Sequence, residues 1–144
     1  MILYLDTSAL VKRHIQEMGT SDVISWMRAA QTIGMSVITR AEAAAAFARM
    51  VRMSVIDKPT AESLLGEFRQ HWPQYIRLRV TEITIARADA MAWELGLRGY
   101  DAVHLASAVM WQEALQEPVT MATYDRQLGE AAAQIGLRVL PVTD

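Results

Sequence analysis

The sequence predicts an α/β fold: a central parallel sheet of about five strands, covered by helices on both faces, in a single domain spanning residues 1–144. Three observations carry this. Short apolar runs alternate with stretches of helical periodicity along the whole chain, the pattern of βα units. The first run, Ile2-Leu3-Tyr4-Leu5, has no polar alternation, which suits a strand buried on both faces. Carboxylates follow the strands, at the edge where open α/β sheets bind their ligands.

Each element follows in order. Asp6-Thr7-Ser8 ends the first strand, and either Asp6 or Ser8 can cap a short helix from Ala9 to about His14. Gly19 to Asp22 form a stop and a new start. They lead into an amphipathic helix over residues 23–30. Residues 35–38 (Met-Ser-Val-Ile) read as the second strand. Thr39-Arg40-Ala41-Glu42 then opens a long helix to about Met53, thinned by Ala43 to Ala46. Asp57-Lys58-Pro59-Thr60 starts the next helix, which runs to about Trp72. Residues 76–80 alternate as a third strand. Thr84 heads a helix with Ile85, Ala88, Ala92 and Leu95 on one stripe, broken at Gly96 and Gly99. Asp101 begins another, striped by Ala102, Leu105, Ala106 and Val109. Residues 119–122 are the fourth strand, Asp125 leads into a helix to about Ile135, and residues 137–140 are the fifth strand.

Composition narrows the function classes. Apolar residues make up 52% and charged residues 21%, values of a globular chain with a proper core rather than a disordered one. There is no Cys, which excludes disulfides and thiolate zinc sites. No apolar run approaches a membrane span and no basic leader precedes the first strand, so a cytoplasmic protein with no membrane partner is expected. The net charge of −2 supplies no bulk attraction to nucleic acid, so such binding requires a local basic patch.

Four acids stand out: Asp6, Glu42 and Asp125 at or near strand-to-helix junctions, and Asp101, which opens a helix and joins them if that helix starts at the same edge. Singly, each has a plain reading. Thr39 to Glu42 is a capping-box pattern, and Asp6, Asp101 and Asp125 suit N-caps. Together they make a different case, because carboxylates sharing one edge repel. A pair about 4 Å apart costs roughly 4 kcal/mol at an effective dielectric near 20. Such a cluster needs a counter-ion, and oxygen ligands without Cys point to Mg²⁺ or Mn²⁺. A divalent ion held by carboxylates suits phosphate chemistry. Thr7, Ser8 and Thr123 are candidate supports for the carboxylates, or capping hydroxyls. The repulsion further predicts that at least one of these carboxyls titrates above its ordinary value in the metal-free chain.

Asp6-Thr7-Ser8-Ala9-Leu10, Thr39-Arg40-Ala41-Glu42, Tyr100-Asp101-Ala102-Val103-His104-Leu105-Ala106-Ser107-Ala108 and Thr123-Tyr124-Asp125-Arg126-Gln127-Leu128 occur in the order seen in PIN-domain ribonucleases. The chain resembles most the VapC-type toxins of bacterial and archaeal toxin–antitoxin pairs, over essentially its whole length. The resemblance implies a three-layer α/β/α fold and Mg²⁺- or Mn²⁺-dependent cleavage of RNA, leaving a 5′-phosphate and a 3′-hydroxyl. It implies Asp6 and Asp101 as main metal ligands, with Glu42 and Asp125 acting through water or on a second ion. It also implies a homodimer and a VapB-type antitoxin partner.

Other residues have weaker claims. His104 lies three residues after Asp101, on roughly the same helix face; a polar residue in a packed helix is the preferred reading over a metal ligand or an acid–base. Lys12, Arg13, Arg40, Arg98 and Arg126 lie near the acidic edge in sequence and are candidate RNA contacts, Arg40 and Arg126 adjoining acids most closely. Trp26, Met27, Met50, Met53 and Trp111 are expected in the core or at a dimer contact. Three functions compete: a VapC-type toxin nuclease, a housekeeping RNA-processing nuclease of the same family, and a binding module whose acids are only caps. A haloacid-dehalogenase phosphatase is set aside, because Ser8 stands where its second Asp is needed.

Overall fold

The computed structural model describes residues 1–143. Five parallel strands form one sheet: β1 (Ile2–Leu5), β2 (Thr32–Ser36), β3 (Ile76–Leu78), β4 (Val119–Ala122) and β5 (Arg138–Leu140), in the order β3-β2-β1-β4-β5. Seven α-helices connect them: α1 (Thr7–His14), α2 (Thr20–Ala29), α3 (Ile38–Arg52), α4 (Lys58–His71), α5 (Glu82–Leu95), α6 (Gly99–Leu115) and α7 (Arg126–Gln134). A 3₁₀ turn, Trp72–Gln74, follows α4.

The strand order dictates the layers. From β1 the chain steps outward to β2 and β3, then returns past β1 to β4 and β5. Parallel crossovers are right-handed, so reversing the direction of travel moves the helices to the opposite face. Two cores result. Leu3, Leu5 and Met35 pack with α1, α3 and α4 through Leu10, Phe47 and Phe68. Tyr4, Val119 and Met121 pack with α5, α6 and α7 through Ala88, Leu105 and Leu128. This is the three-layer α/β/α arrangement. The order reverses between β1 and β4, so the edge carrying Asp6 and Thr123 is the topological switch point, where such sheets open a crevice.

Strands β1 and β4 match the sequence reading at both ends. Others shift. The second strand is Thr32–Ser36 rather than residues 35–38, because Val37 already has helical backbone angles and its N–H bonds Leu78 O. Here tertiary context overrides the β-preference of Val37 and Ile38. β3 is shorter than read. α1 starts at Thr7 with Asp6 rather than Ser8 as its cap, α5 is capped by Thr81 rather than Thr84, and α6 starts two residues before Asp101. Trp111 is in the core on the α5–α7 face, Trp26, Met27 and Met50 pack partly buried against the core on the opposite face, and Met53 is exposed.

Gly34 shows how tightly α6 sits on the sheet. It pairs with Tyr4 on the same face, and a Cβ there would stand 2.6 Å from the Trp111 ring. Gly34→Ala is therefore expected to destabilise the fold by about 1–3 kcal/mol through overpacking. Urea denaturation measures this, and Trp111→Leu in the same chain should return part of the loss.

Candidate active site

Strand β1 delivers Asp6 to the switch point, and the loops close over it. Asp6 Oδ1 accepts from Ser8 Oγ at 2.7 Å and from the Ala9 N–H at 2.9 Å. Its Oδ2 accepts from Thr123 Oγ1. Ser8 Oγ in turn accepts from the Tyr124 N–H at 2.9 Å, and Thr123 Oγ1 from the Asp125 N–H at 3.0 Å. The carboxylate thus ties the loop after β1 to the loop after β4. Asp6 does cap α1, as its plain reading had it, but capping uses only one of its oxygens. Burial pushes its carboxyl up, and the hydrogen bonds from Thr123, Ser8 and Ala9, with the nearby His104, offset this only in part. A raised carboxyl was anticipated from like-charge repulsion. The cause here is loss of water around a carboxyl that is 4% exposed.

Glu42 comes from the first turns of α3 and does not close a capping box. α3 has no side-chain cap, and the buried Thr39 hydroxyl has no partner among the described residues. Instead Glu42 Oε1 accepts from Thr7 Oγ1 at 2.7 Å and from His104 Nε2 at 2.6 Å. Burial pushes this carboxyl up, but its contacts with His104 and Thr7 outweigh this and hold it below its ordinary value.

Asp101 and Asp125 share a cation. Arg98, the residue just before α6, donates from Nε to Asp101 Oδ2 at 2.9 Å and from Nη2 to Asp125 Oδ2 at 2.7 Å. Asp125 also caps α7 through the Leu128 N–H at 2.9 Å. Gln127 Nε2 bonds Gly96 O at 2.8 Å, which holds the loop bearing Arg98 against α7. The counter-ion that the acids require is here a guanidinium from the chain itself.

The four acids and three hydroxyls therefore gather at one sheet edge, Asp6, Ser8, Thr123 and Asp125 in one bonded network, Thr7 and Glu42 in another. As the side chains stand, no group of three acidic or histidine residues among the described residues closes on a single point. The donor set nevertheless fits a hard divalent ion in kind. It is all carboxylate oxygen, and two of the four acids already hold a positive charge between them. Of the cations singled out by position, most are engaged elsewhere. Lys12 pairs with Glu17 and lies over the Tyr124 ring, Arg13 stands by Glu67, and Arg40 lies over Trp72. Arg126 pairs with Glu130 and lines a groove of about 720 Å³ that begins at Thr123 and Asp125 and runs between α7 and the chain after β5. His104 is a polar residue inside a packed helix and Arg98 forms salt bridges, as their plain readings had it, but the sequence reading did not assign the acids they meet. The signal for His104 was present: Tyr4 and Asp6 share a strand face, and Asp101 and His104 share a helix face.

The buried charge of Asp6 has a cost that pH exposes. A carboxyl with a raised folded-state pKa favours folding below its unfolded pKa, and this contribution is lost as pH rises through the folded value. In EDTA-treated protein, Asp6→Asn should thus melt above wild type at pH 7.5. The difference should shrink as pH falls into the ordinary carboxylate range, which paired thermal melts at pH 4 and pH 7.5 would measure.

Comparison with known proteins agrees with this geometry. The family model for the PIN domain matches residues 3–134. Ribonuclease VapC45 of Mycobacterium tuberculosis (strain CDC 1551 / Oshkosh) is 32% identical over 145 residues, covering 97% of this chain and 95% of that protein. Ribonuclease VapC49 of Mycobacterium tuberculosis (strain ATCC 25618 / H37Rv) gives the same figures. Among solved structures, FitAB bound to an IR36 DNA fragment superposes with a TM-score of 0.71 at 18% identity, covering 96% of this chain and 93% of that one, a likeness of fold alone. With its switch-point acids in place and a family match over nearly its whole length, the chain belongs to the PIN-domain family, alongside the VapC ribonucleases.

Proposed function

We propose that this chain is a metal-dependent endoribonuclease that hydrolyses RNA phosphodiester bonds, and that it is the toxin of a VapBC-type toxin–antitoxin pair. The observation that carries the reading is Asp6, a buried carboxylate kept at the sheet's switch point with three donors around it. Helix capping alone would not require so costly a position. Two relatives named ribonuclease VapC, each at 32% identity over 97% of the chain, support both the activity and the class.

PIN-domain ribonucleases are in general dependent on a divalent metal. In our reading Mg²⁺ or Mn²⁺ is held by Asp6 and Asp101 directly, with Glu42 and Asp125 acting through water or on a second ion. Such an ion supplies Lewis acidity toward a phosphoryl oxygen and acidifies water for the attack. The chain supplies the rest. Ser8 and Thr123 fix both oxygens of Asp6, and Thr7 fixes Glu42. Arg126, beside Asp125 in the groove, is the best-placed of the suggested RNA contacts, ahead of Lys12, Arg13 and Arg40. The partners are RNA, a VapB-type antitoxin and a second copy of the chain. Exposed Ile83, Ile85 and Trp93 on α5, with Tyr100 at the start of α6, are apolar surface of the kind a second copy covers. No helix among the described residues is long and apolar enough to cross a membrane, and we place the protein in the cytoplasm.

Purified chain with Mn²⁺ or Mg²⁺ should cleave RNA to 5′-phosphate and 3′-hydroxyl ends, and EDTA or Asp6→Asn should abolish cleavage. A toxin should also arrest growth when expressed without its antitoxin, whereas a housekeeping nuclease should not. A module with caps only would show neither cleavage nor a thermal shift with Mn²⁺. Arg98 competes with the metal for Asp101 and Asp125. Arg98→Gln should therefore tighten Mn²⁺ binding, modestly because the guanidinium is solvent-screened. Calorimetric titration of the metal-free variant checks this, and equal or weaker binding would count against it.

A further inference from the structure

A buried chain of hydrogen bonds runs beneath the acids and ends on one of them. Tyr4, fully buried in β1, meets His104 Nδ1 through its hydroxyl at 2.7 Å, with the two rings edge to face. On the far side of the imidazole, Nε2 stands 2.6 Å from Glu42 Oε1. His104 is 2% exposed, so neither nitrogen is served by bulk water. Thr7 Oγ1 donates to the same Glu42 oxygen. Glu42 Oε2 has no hydrogen bond among the described residues.

The chemistry of the partners settles the direction of these bonds. A carboxylate is an acceptor only, and Glu42 Oε1 already takes the Thr7 hydroxyl proton. Nε2 must then carry the proton that it shares with Glu42. On the neutral ring this leaves Nδ1 as an acceptor, to which the Tyr4 O–H donates. Of the two neutral tautomers only this one meets both partners, and the ring cannot flip without losing both bonds.

Resting on the nuclease reading above, we propose that His104 is a positioning residue: with Tyr4 behind it, it acts as a fixed hydrogen-bond donor that turns Glu42 so that Oε1 is spoken for and Oε2 alone serves the reaction. Two donors on one oxygen set the torsion of the carboxylate. Without them Glu42, on the half-exposed first turns of α3, would sample several rotamers, and a displaced carboxylate loses rate steeply. The role asks for a donor at the place of Nε2 and not for a titrating group. Helix α6 thus brings two side chains to the site from successive turns, Asp101 at the edge and His104 below it.

The test compares His104→Leu, His104→Gln and Tyr4→Phe in the full chain. His104→Leu should lower kcat for RNA cleavage about ten- to hundredfold, the range usual for residues supporting a metal site, with KM little changed. His104→Gln, whose amide can donate from a similar place, should restore most of that loss with an unaltered pH profile. Tyr4→Phe should fall between wild type and His104→Leu. Thermal melts establish that each variant folds. Folded His104→Leu with wild-type kcat, or folded His104→Gln as slow as His104→Leu, would overturn the proposal. A second readout needs no activity. In ¹⁵N-histidine-labelled protein, the nitrogen shifts of His104 should show the Nε2-protonated tautomer with Nδ1 as acceptor, perturbed by Tyr4→Phe and by Glu42→Ala. An unprotonated Nε2 in wild type would overturn the proposal even in an active nuclease. Failure of wild type to cleave any RNA would instead strike the nuclease reading, leaving the tautomer to decide the role of His104.

Discussion

A carboxylate kept out of water at the end of the central strand is the constraint on which this structure depends. An isolated buried carboxylate is among the least favourable groups a fold can contain. Asp6 is tolerated because one backbone N–H and two hydroxyls reach it, and those three donors come from both sides of the switch point. The arrangement binds in two directions. Ser8 and Thr123 satisfy Asp6, and Asp6 fixes the loops that carry them. Ser8 then receives the Tyr124 N–H and Thr123 the Asp125 N–H, so the geometry of the fourth acid descends from that of the first. The sheet supplies the framework for this. Because β1 and β4 pair in parallel register through Leu5 and Ala122, Asp6 and Thr123 leave the sheet side by side.

Much of this was legible from the residues. An uninterrupted apolar run identified β1 at both ends, since a strand buried on two faces carries no competing polar pattern, and β4 was read in full despite its Thr120. Asp6 and Asp125 were legible because each closely follows one of these strands, whereas the sequence left open whether Asp101 reaches that edge. What was hidden depends on contacts between distant parts of the chain. Val37 and Ile38 look like strand, yet the last ladder bond of β2 to β3 ends at the Val37 N–H, and the backbone of Val37 already turns into α3. Thr39 to Glu42 satisfies the capping-box pattern and does not form the box, because Glu42 has partners 35 and 62 residues away that no local rule anticipates. Arg98 was one of five basic residues read as near the acidic edge, with no signal of which acids it would meet. Only the closing of the α5–α6 loop onto α7, through Gln127 and Gly96, places it between two acids.

These long-range partners sort the four acids into two kinds. Asp6 and Glu42 are held by groups that are themselves buried or anchored: Thr123, Ser8, Thr7 and His104. Their geometry is set before any ligand arrives. Asp101 and Asp125 are held by Arg98, whose side chain is 74% exposed and whose long stem can move aside at small cost in packing. A divalent ion and a guanidinium answer the same electrostatic need, but only the guanidinium brings its own tether. The tether keeps the outer acids neutralised while the metal is absent, and its exposure keeps the exchange shallow in free energy. If the acids take a metal as proposed, preorganised inner carboxylates and exchangeable outer ones would together let the site stay folded without it and still accept it, which neither four rigid acids nor four free ones would do.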